Sequence, residues 1–382
     1  MADRSMDRSA AADAAFGASL YKLLAADGGN LAFSPASIAA ALRMALCGAH
    51  GETAGELAAA LHLDNAQDAA EGLRLLSAGL AEIPTDGVVF RAPNTMWVQS
   101  GLPLLPRFTA TLREAAAVSV RDADFRRAPG QARQEINDLV AKQTENKITN
   151  LLGPHTVGAD TKLVLVNAIY LNAAWVHRFP ERATRDEPFY PGGPGTGTPV
   201  TARMMRLTEN LKYLRGDGYQ AVLLPYRGAR LVMTVVLPDG PLAALPPGLS
   251  GELDRVTGRA RRHRVNLALP RFRQRAEFNL ADVLARLSVK QAFSAGGADF
   301  SGVTTAERLF IGAVVHKTFI DVAEEGTEAA AATGLTMRPM AVPRPPAESV
   351  TMIVDHPFLF AITDASTGLP LFLGQVTRPA AE

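Results

Sequence analysis

The chain has 382 residues, 47% of them hydrophobic and 20% charged, with a net charge of +1 at pH 7. That is ordinary composition for a globular protein with a large core, and length alone would suggest two domains. The near-neutral balance supplies no global field for nucleic acid or an anionic membrane, and no stretch approaches the roughly 18 uninterrupted apolar residues of a membrane span.

Cys47 is the only cysteine, so no intrachain disulfide and no cysteine-based metal site can form. Within an apolar helix it reads as a small buried hydrophobe. The N-terminus carries Asp3, Asp7 and Asp13 and lacks the apolar core of a secretory signal. Read by itself, it points to the cytoplasm unless a signal has been removed. Arginine outnumbers lysine and alanine is abundant, the bias of a GC-rich bacterial genome.

In chain order, residues 9–26 place Phe16, Leu20, Leu23 and Leu24 on one helical stripe, which Gly28-Gly29-Asn30 ends. Leu31-Ala32-Phe33 reads as a short strand. Ser34 then caps a helix with Pro35 in its first turn, running to about Leu46. Residues 131–150 read as an amphipathic helix with Ile136, Leu139, Val140 and Ile148 inward. LVLVNAIYL (163–171) is a continuous β-rich run, the pattern of a strand buried on both faces. The Gly-rich 191–199 has no helix pattern after it and reads as a surface loop, not a phosphate cradle.

AVLLPY (221–226) and LVMTVVLP (231–238) predict a hairpin across Arg227–Arg230. VNLALPRF (265–272) alternates as a strand, and FIGAVVHKTFIDVAEE (310–325) contains a long one with His316 at its middle. A last hairpin turns at Ala365–Leu369. Strands and helices mix without βαβ alternation, which predicts an α+β architecture with mostly antiparallel sheets.

The nucleophile-elbow, zinc-protease and P-loop signatures are all absent. The seven histidines are scattered, so nothing points to an enzyme, a metal or a cofactor. Arg255, Arg259, Arg261, Arg262, His263 and Arg264 form a basic cluster. Its core has the spacing often quoted for sulfated polysaccharides. The plainer reading is a solvated helix end and turn.

EEGTEAAAAT (324–333) is unusual. Its propensity is helical, yet Pro339, Pro343, Pro345 and Pro346 follow within eight residues and forbid a helix or central strand there. The result is a small-residue segment leading into a stiff exposed stretch, the kind that proteases cut.

That segment resembles the reactive-centre-loop hinge of inhibitory serpins almost letter for letter. The resemblance runs from about residue 10 to Pro379 through NLAFSPASIAAALRMALCGAHGET (30–53), LVLVNAIYLNAAWVHRFP (163–180), ADFSGV (298–303), VVHKTFIDVAEEG (314–326), DHPFLFAI (355–362) and PLFLGQV (370–376). It implies one serpin domain over 1–382, α+β, with three β-sheets, eight or nine helices and a reactive-centre loop at about 324–349. It also implies a metastable suicide-substrate inhibitor of serine proteases, active outside the cell in many relatives, monomeric yet able to form loop-sheet polymers.

The hinge comprises Glu324, Glu325, Gly326, Thr327, Glu328, Ala329, Ala330, Ala331, Ala332 and Thr333. An inserting strand points alternate side chains to opposite faces, so Thr327, Ala329, Ala331 and Thr333 would turn inward, all small and uncharged. A charge there would be buried unpaired at a cost of several kcal/mol. The resemblance further places Ser34, Ser37, Asn167 and His316 in the polar shutter beneath the central strands. It places Trp175, Arg271 and Glu324 in the breach where the loop enters, with an Arg271–Glu324 ion pair expected.

Counting from Glu324 by the family's spacing sets the scissile bond at Met340–Ala341. Met340 suits elastase-, chymotrypsin- or subtilisin-like proteases, because the residue before the bond fills their specificity pocket. Arg338 and Arg344 are the trypsin-like alternatives, and each is followed by proline, which lacks an N–H and fixes φ. The segment from Met340 to His356 is longer than in antitrypsin-like members, so counting backward moves the bond toward Pro343 or Arg344. An early helical region at about 68–82 carries Arg74 as its only basic residue, too few for a heparin face.

Overall fold

The structure, a computed structural model, describes residues 2–83, 87–115, 118–246, 248–327 and 349–379, with side chains from residue 8 onward. Among these are eight α-helices: α1 (Ala2–Leu24), α2 (Pro35–Leu46), α3 (Gly51–Ala60), α4 (Asp68–Ala81), α5 (Pro106–Arg113), α6 (Pro129–Gln143), α7 (Leu253–Arg259) and α8 (Ala281–Arg286). The first strands are β1 (Leu31–Phe33), β2 (Val88–Arg91), β3 (Asn94–Gln99), β4 (Val118–Ala123), β5 (Leu163–Ala174), β6 (Arg185–Phe189), β7 (Val200–Arg215) and β8 (Tyr219–Pro225). Then follow β9 (Leu231–Pro238), β10 (Arg261–Pro270), β11 (Phe272–Asn279), β12 (Ile311–Ala323), β13 (Gly326–Thr327), β14 (Ser349–Ile353), β15 (Phe358–Asp364) and β16 (Pro370–Val376).

One network orders its strands β11–β12–β13–β5–β3–β4, with β2 also on β5. The other runs β1–β16–β15–β9–β8–β7–β10–β14, with β6 on β7. The three expected sheets appear as two networks because β7 serves two of them. Its residues 204–213 pair with β10 and its residues 212–215 pair with β8.

The seven-stranded sheet is buried on both faces, which explains the unbroken apolar run of β5. Leu163, Leu165, Ile169 and Leu171 join the large core beneath α2, while Val164, Val166, Ala168 and Tyr170 pack toward Ile136 and Val140 of α6. A side-chain period of two sorts one apolar strand between two cores.

Local chemistry sets the boundaries. Ser34 is the N-cap of α2 and its Oγ accepts from the Ser37 N–H at 3.2 Å. Helix α1 ends at Leu24 and a 3-10 turn carries the chain to Gly28 at φ 72°. Helix α6 ends at Gln143, short of the expected residue 150. Glu145 and Asn146 take positive φ (52° and 61°), and Thr144 Oγ1 accepts from the Ile148 N–H at 3.2 Å. Ile148 is buried all the same, so its apolar character reflected packing and not helix period.

The strand expected over 265–272 divides. β10 ends at Pro270 in one network and β11 begins at Phe272 in the other, leaving Arg271 at the crossing. The basic cluster is not a helix end and turn. Arg255 and Arg259 lie on α7, but Arg261, Arg262, His263 and Arg264 are exposed residues of β10. Cys47 is half-buried at the C-cap of α2, and burial pushes its thiol up to about 12 against the opposing charge of Arg43. No described helix is long and apolar enough to cross a membrane.

Candidate functional site

β5 and β12 pair directly and in parallel, from Leu163 opposite Ile311 to Tyr170 opposite Phe319. Above that level they diverge, and β13 enters between them. Thr327 faces Val322 on one side and Ala173 on the other, and Gly326 faces Ala323 and Ala174. The first two hinge residues therefore already occupy a strand position at the top of the sheet. A strand continuing from Thr327 would have to separate β5 from β12 below.

Gly326 is required by this geometry. Its φ is +156°, and a Cβ there would fall 2.0 Å from the Ala173 carbonyl oxygen. Thr327 is fully buried, and its Oγ1 shares a 2.5 Å hydrogen bond with the Tyr226 hydroxyl. Thr327 sits beside Ala173, whose side chain belongs to the large core. Burial holds the Tyr226 hydroxyl well above its usual range, so it remains neutral.

The three expected breach residues come together. Trp175 is buried, stacks on Tyr226 at 4.3 Å and donates from Nε1 to the Ala323 carbonyl at 2.9 Å. Arg271 Nε lies 2.7 Å from one Glu324 carboxylate oxygen and donates to the other at 2.9 Å. Thr184 Oγ1 donates to the same carboxylate at 2.5 Å. Burial would raise the Glu324 pKa, but the bonds from Arg271 and Thr184 outweigh it and hold the carboxyl below 4.5. Glu325 pairs with Arg178 at 2.5 Å, and the Trp175 and Phe179 N–H groups bond the carbonyls of Glu325 and Glu324.

The shutter residues also converge, and they include one the sequence did not single out. Asn94, Asn167 and His316 lie in one row across β3, β5 and β12. His316 Nε2 accepts from the Ser34 N–H at 3.0 Å, so its Nδ1 carries the proton and donates to Asn167 Oδ1. Asn167 Nδ2 donates toward Ser37 Oγ at 2.7 Å and toward Asn94 Oδ1, to which Ser37 Oγ also donates at 2.8 Å. Burial lowers the His316 pKa to about 3, so the ring is neutral. The His316–Asn167 bond crosses the junction of β5 with β12, the pair an inserting strand would part.

Asn94 carries no local sequence signal that tells it from a surface position. Tyr226, Thr184 and Arg178 carried no signal, since their partners are remote in sequence. The expected inward residues Ala329, Ala331 and Thr333 lie outside the described residues. So do Glu328, Ala330, Ala332, Met340, Ala341, Arg338 and Arg344. The far end of that segment is fixed where Ser349–Ile353 of β14 pairs in parallel with Arg264–Ala268 of β10. Its two ends are thus held in different networks.

Comparison with known proteins agrees with this architecture. Residues 11–379 match the family model described as serpin (serine protease inhibitor). An uncharacterized serpin-like protein of Thermococcus kodakarensis is 39% identical, covering 94% of this chain and 83% of the relative. The leukocyte elastase inhibitor of Equus caballus is 35% identical over 92% of this chain and 93% of its own. Among solved structures, Serpin48 of the insect Tenebrio molitor superposes with a TM-score of 0.83 at 29% identity, covering all of both chains. Human thyroxine-binding globulin, solved in complex with its ligand, gives 0.85 at 26% identity, covering 99% of this chain and 100% of that one. With a closed central sheet, an entering hinge and a family model that fits almost end to end, the chain belongs to the serpin family.

Proposed function

We propose that this serpin, a single domain over 1–382, inhibits serine endopeptidases as a suicide substrate and is not itself an enzyme. The observation that carries this reading is the hinge: Gly326 and Thr327 lie between β5 and β12, with Thr327 on the core face. Strand alternation then sends Ala329, Ala331 and Thr333 to the same face, where small uncharged side chains insert without burying a charge. The relatives named leukocyte elastase inhibitor support a serine protease as partner.

The chemistry belongs to the protease. Its serine oxygen attacks the Met340 carbonyl carbon, the Met340–Ala341 bond breaks, the new amine of Ala341 leaves with a proton, and Met340 is left as an ester on the enzyme. Insertion of the hinge traps that ester before water reaches it. Met340 favours elastase-, chymotrypsin- or subtilisin-like targets.

Incubation with pancreatic elastase, chymotrypsin, subtilisin and trypsin tests this reading. It predicts a complex that survives denaturing gel electrophoresis and a released peptide beginning at Ala341 by mass spectrometry. A peptide beginning after Arg338 or Arg344 would move the bond. Clean cleavage without a complex would replace inhibitor by non-inhibitory carrier or chaperone, and the ligand-bound structure of thyroxine-binding globulin supports the carrier alternative.

A further inference from the structure

Two histidines are buried among the described residues, and their surroundings are opposite. His316 meets one N–H donor and one amide oxygen, which a neutral ring satisfies. His356, 5% exposed, meets only acceptors. Its Nδ1 lies 2.7 Å from an Asp355 carboxylate oxygen, and its Nε2 lies 2.8 Å from the Pro238 carbonyl oxygen. A neutral imidazole carries one N–H and one bare lone pair. In either neutral form that lone pair would face an oxygen lone pair at hydrogen-bonding distance. Turning the ring over would put carbons in both places and lose both bonds. The two contacts are satisfied together only when each nitrogen carries a hydrogen, as in the imidazolium. A carboxyl is the stronger acid of the pair, so the shared proton belongs on the ring. The countercharge is in place. Asp355 pairs with the ring, while Asp239, next along the chain from Pro238, is held by Arg215 at 2.6 and 2.7 Å. Buried charge that is paired and fully hydrogen-bonded is the tolerated kind.

The place of this ring in the fold gives it a task. His356 stands in the short connector from β14 to β15. β14 ends its network, pairs with β10 alone among the described strands and buries only Met352. Its own packing therefore holds it weakly. The connector adds two backbone bonds, from the Val354 N–H to the Ala268 carbonyl and from the Tyr190 N–H to the Asp355 carbonyl. His356 reaches further, to the end of β9 in the middle of the network.

We propose that His356 is held as a cation and acts as a two-ended clamp, a positioning residue that ties β14, the strand fixing the far end of the hinge-bearing segment, to the end of β9. A neutral ring would lose one contact and make it repulsive, and β14 would keep only its β10 pairing and the connector's backbone bonds. The clamp does not rest on the inhibitory reading.

Long-range proton–nitrogen spectra of the full chain labelled with 15N-histidine, taken at pH 7, read the charge directly. His356, assigned through its backbone, is expected to carry hydrogen on both ring nitrogens and His316 on one. A bare nitrogen on His356 would overturn the proposal. This measurement needs no variant, so the charge stays testable whatever a substitution does to folding. Amide hydrogen exchange at the same pH reads the clamp. His356→Leu removes both donors and should speed exchange across Ser349–Ile353 about tenfold while leaving β5 and β12 protected. His356→Lys restores a cation and should recover part of that protection. Unchanged exchange in His356→Leu, or a loss spread evenly over both networks, would reduce His356 to an ordinary packed side chain. The protease-complex gel reads the inhibitory function separately, so either idea can fail alone.

Discussion

His316 shows how much one side chain can depend on its surroundings. It is wholly buried, hydrogen-bonded at both ring nitrogens and held neutral with a pKa near 3. In the unfolded chain it would protonate near 6.5. Above pH 6.5 neither state is charged there and the residue adds no pH dependence. As pH falls from 6.5 toward 3 the unfolded chain gains a proton that the folded one refuses, so stability drops by up to about 1.4 kcal/mol per pH unit. Denaturant unfolding at pH 7, 6, 5 and 4 should show that slope. His316→Gln should flatten it while costing stability at pH 7 through the broken shutter row. An unchanged slope in the variant would assign the acid sensitivity elsewhere. The Glu324–Arg271 pair has the same sign on the acid side: its stabilisation is complete above pH 4.5 and fades as pH falls through the lowered pKa of Glu324. Arg271→Ala should cost about 1–2 kcal/mol at pH 7, below the range for a fully buried pair because Arg271 is 28% exposed. It should also loosen the loop entry, seen as faster polymerisation on mild heating. Unchanged stability and polymerisation would reduce the pair to surface decoration. Ser34, Ser37, Asn167 and His316 could be named from the sequence because each stands in a recognisable block. Asn94 completes the same row by register alone, and register between strands is a tertiary fact.

At the level of elements, the hinge is the part most tightly specified. Gly326→Ala would place a methyl on the Ala173 carbonyl at a backbone angle that L residues avoid. The expected cost is about 1–3 kcal/mol, read as a lower denaturation midpoint, with β13 withdrawn from the sheet. A variant as stable as the parent would show that the first rung is dispensable. Ala331→Glu tests the rest of the strand. It places a carboxylate on the face that strand alternation turns inward after cleavage. Cleaved product should then accumulate at the expense of protease complex, at least tenfold over the parent on a denaturing gel. Elements whose apolar period runs on one buried face, such as α2 and β5, were readable at their true lengths within a few residues. The end of α6 was not, because Ile148 keeps the apolar rhythm while Glu145 and Asn146 turn the backbone left-handed. The β10–β11 break was hidden for a similar reason. Both strands alternate in one continuous pattern, and only the pairing partners change at Arg271.

For the whole molecule, the closed junction of β5 with β12 is the reserve on which the proposed mechanism draws. These two central strands pair in parallel beneath the entry point, while the loop is held at both ends in different networks. An intact loop can therefore enter only as far as its tether to β14 permits. Cutting the segment between Thr327 and Ser349 releases that tether, and a strand continuing from Thr327 gains neighbours on both sides. Each rung replaces one parallel pairing by two antiparallel ones, since β13 already runs antiparallel to both β5 and β12. A gain of about 1 kcal/mol per inserted residue over about ten residues would raise the unfolding midpoint of a chain this long by roughly 12 °C. Limited proteolysis followed by thermal unfolding, with no target protease bound, isolates this quantity from trapping. A rise of that size requires that the native state is metastable and that the hinge inserts. A cleaved protein that melts with the intact one would mean the sheet stays closed, and the hinge would then be a fixed plug at the breach. Ala331→Glu should sit between these limits: cleaved normally, but gaining only the rungs above residue 331, so that a partial rise would locate how far the strand travels.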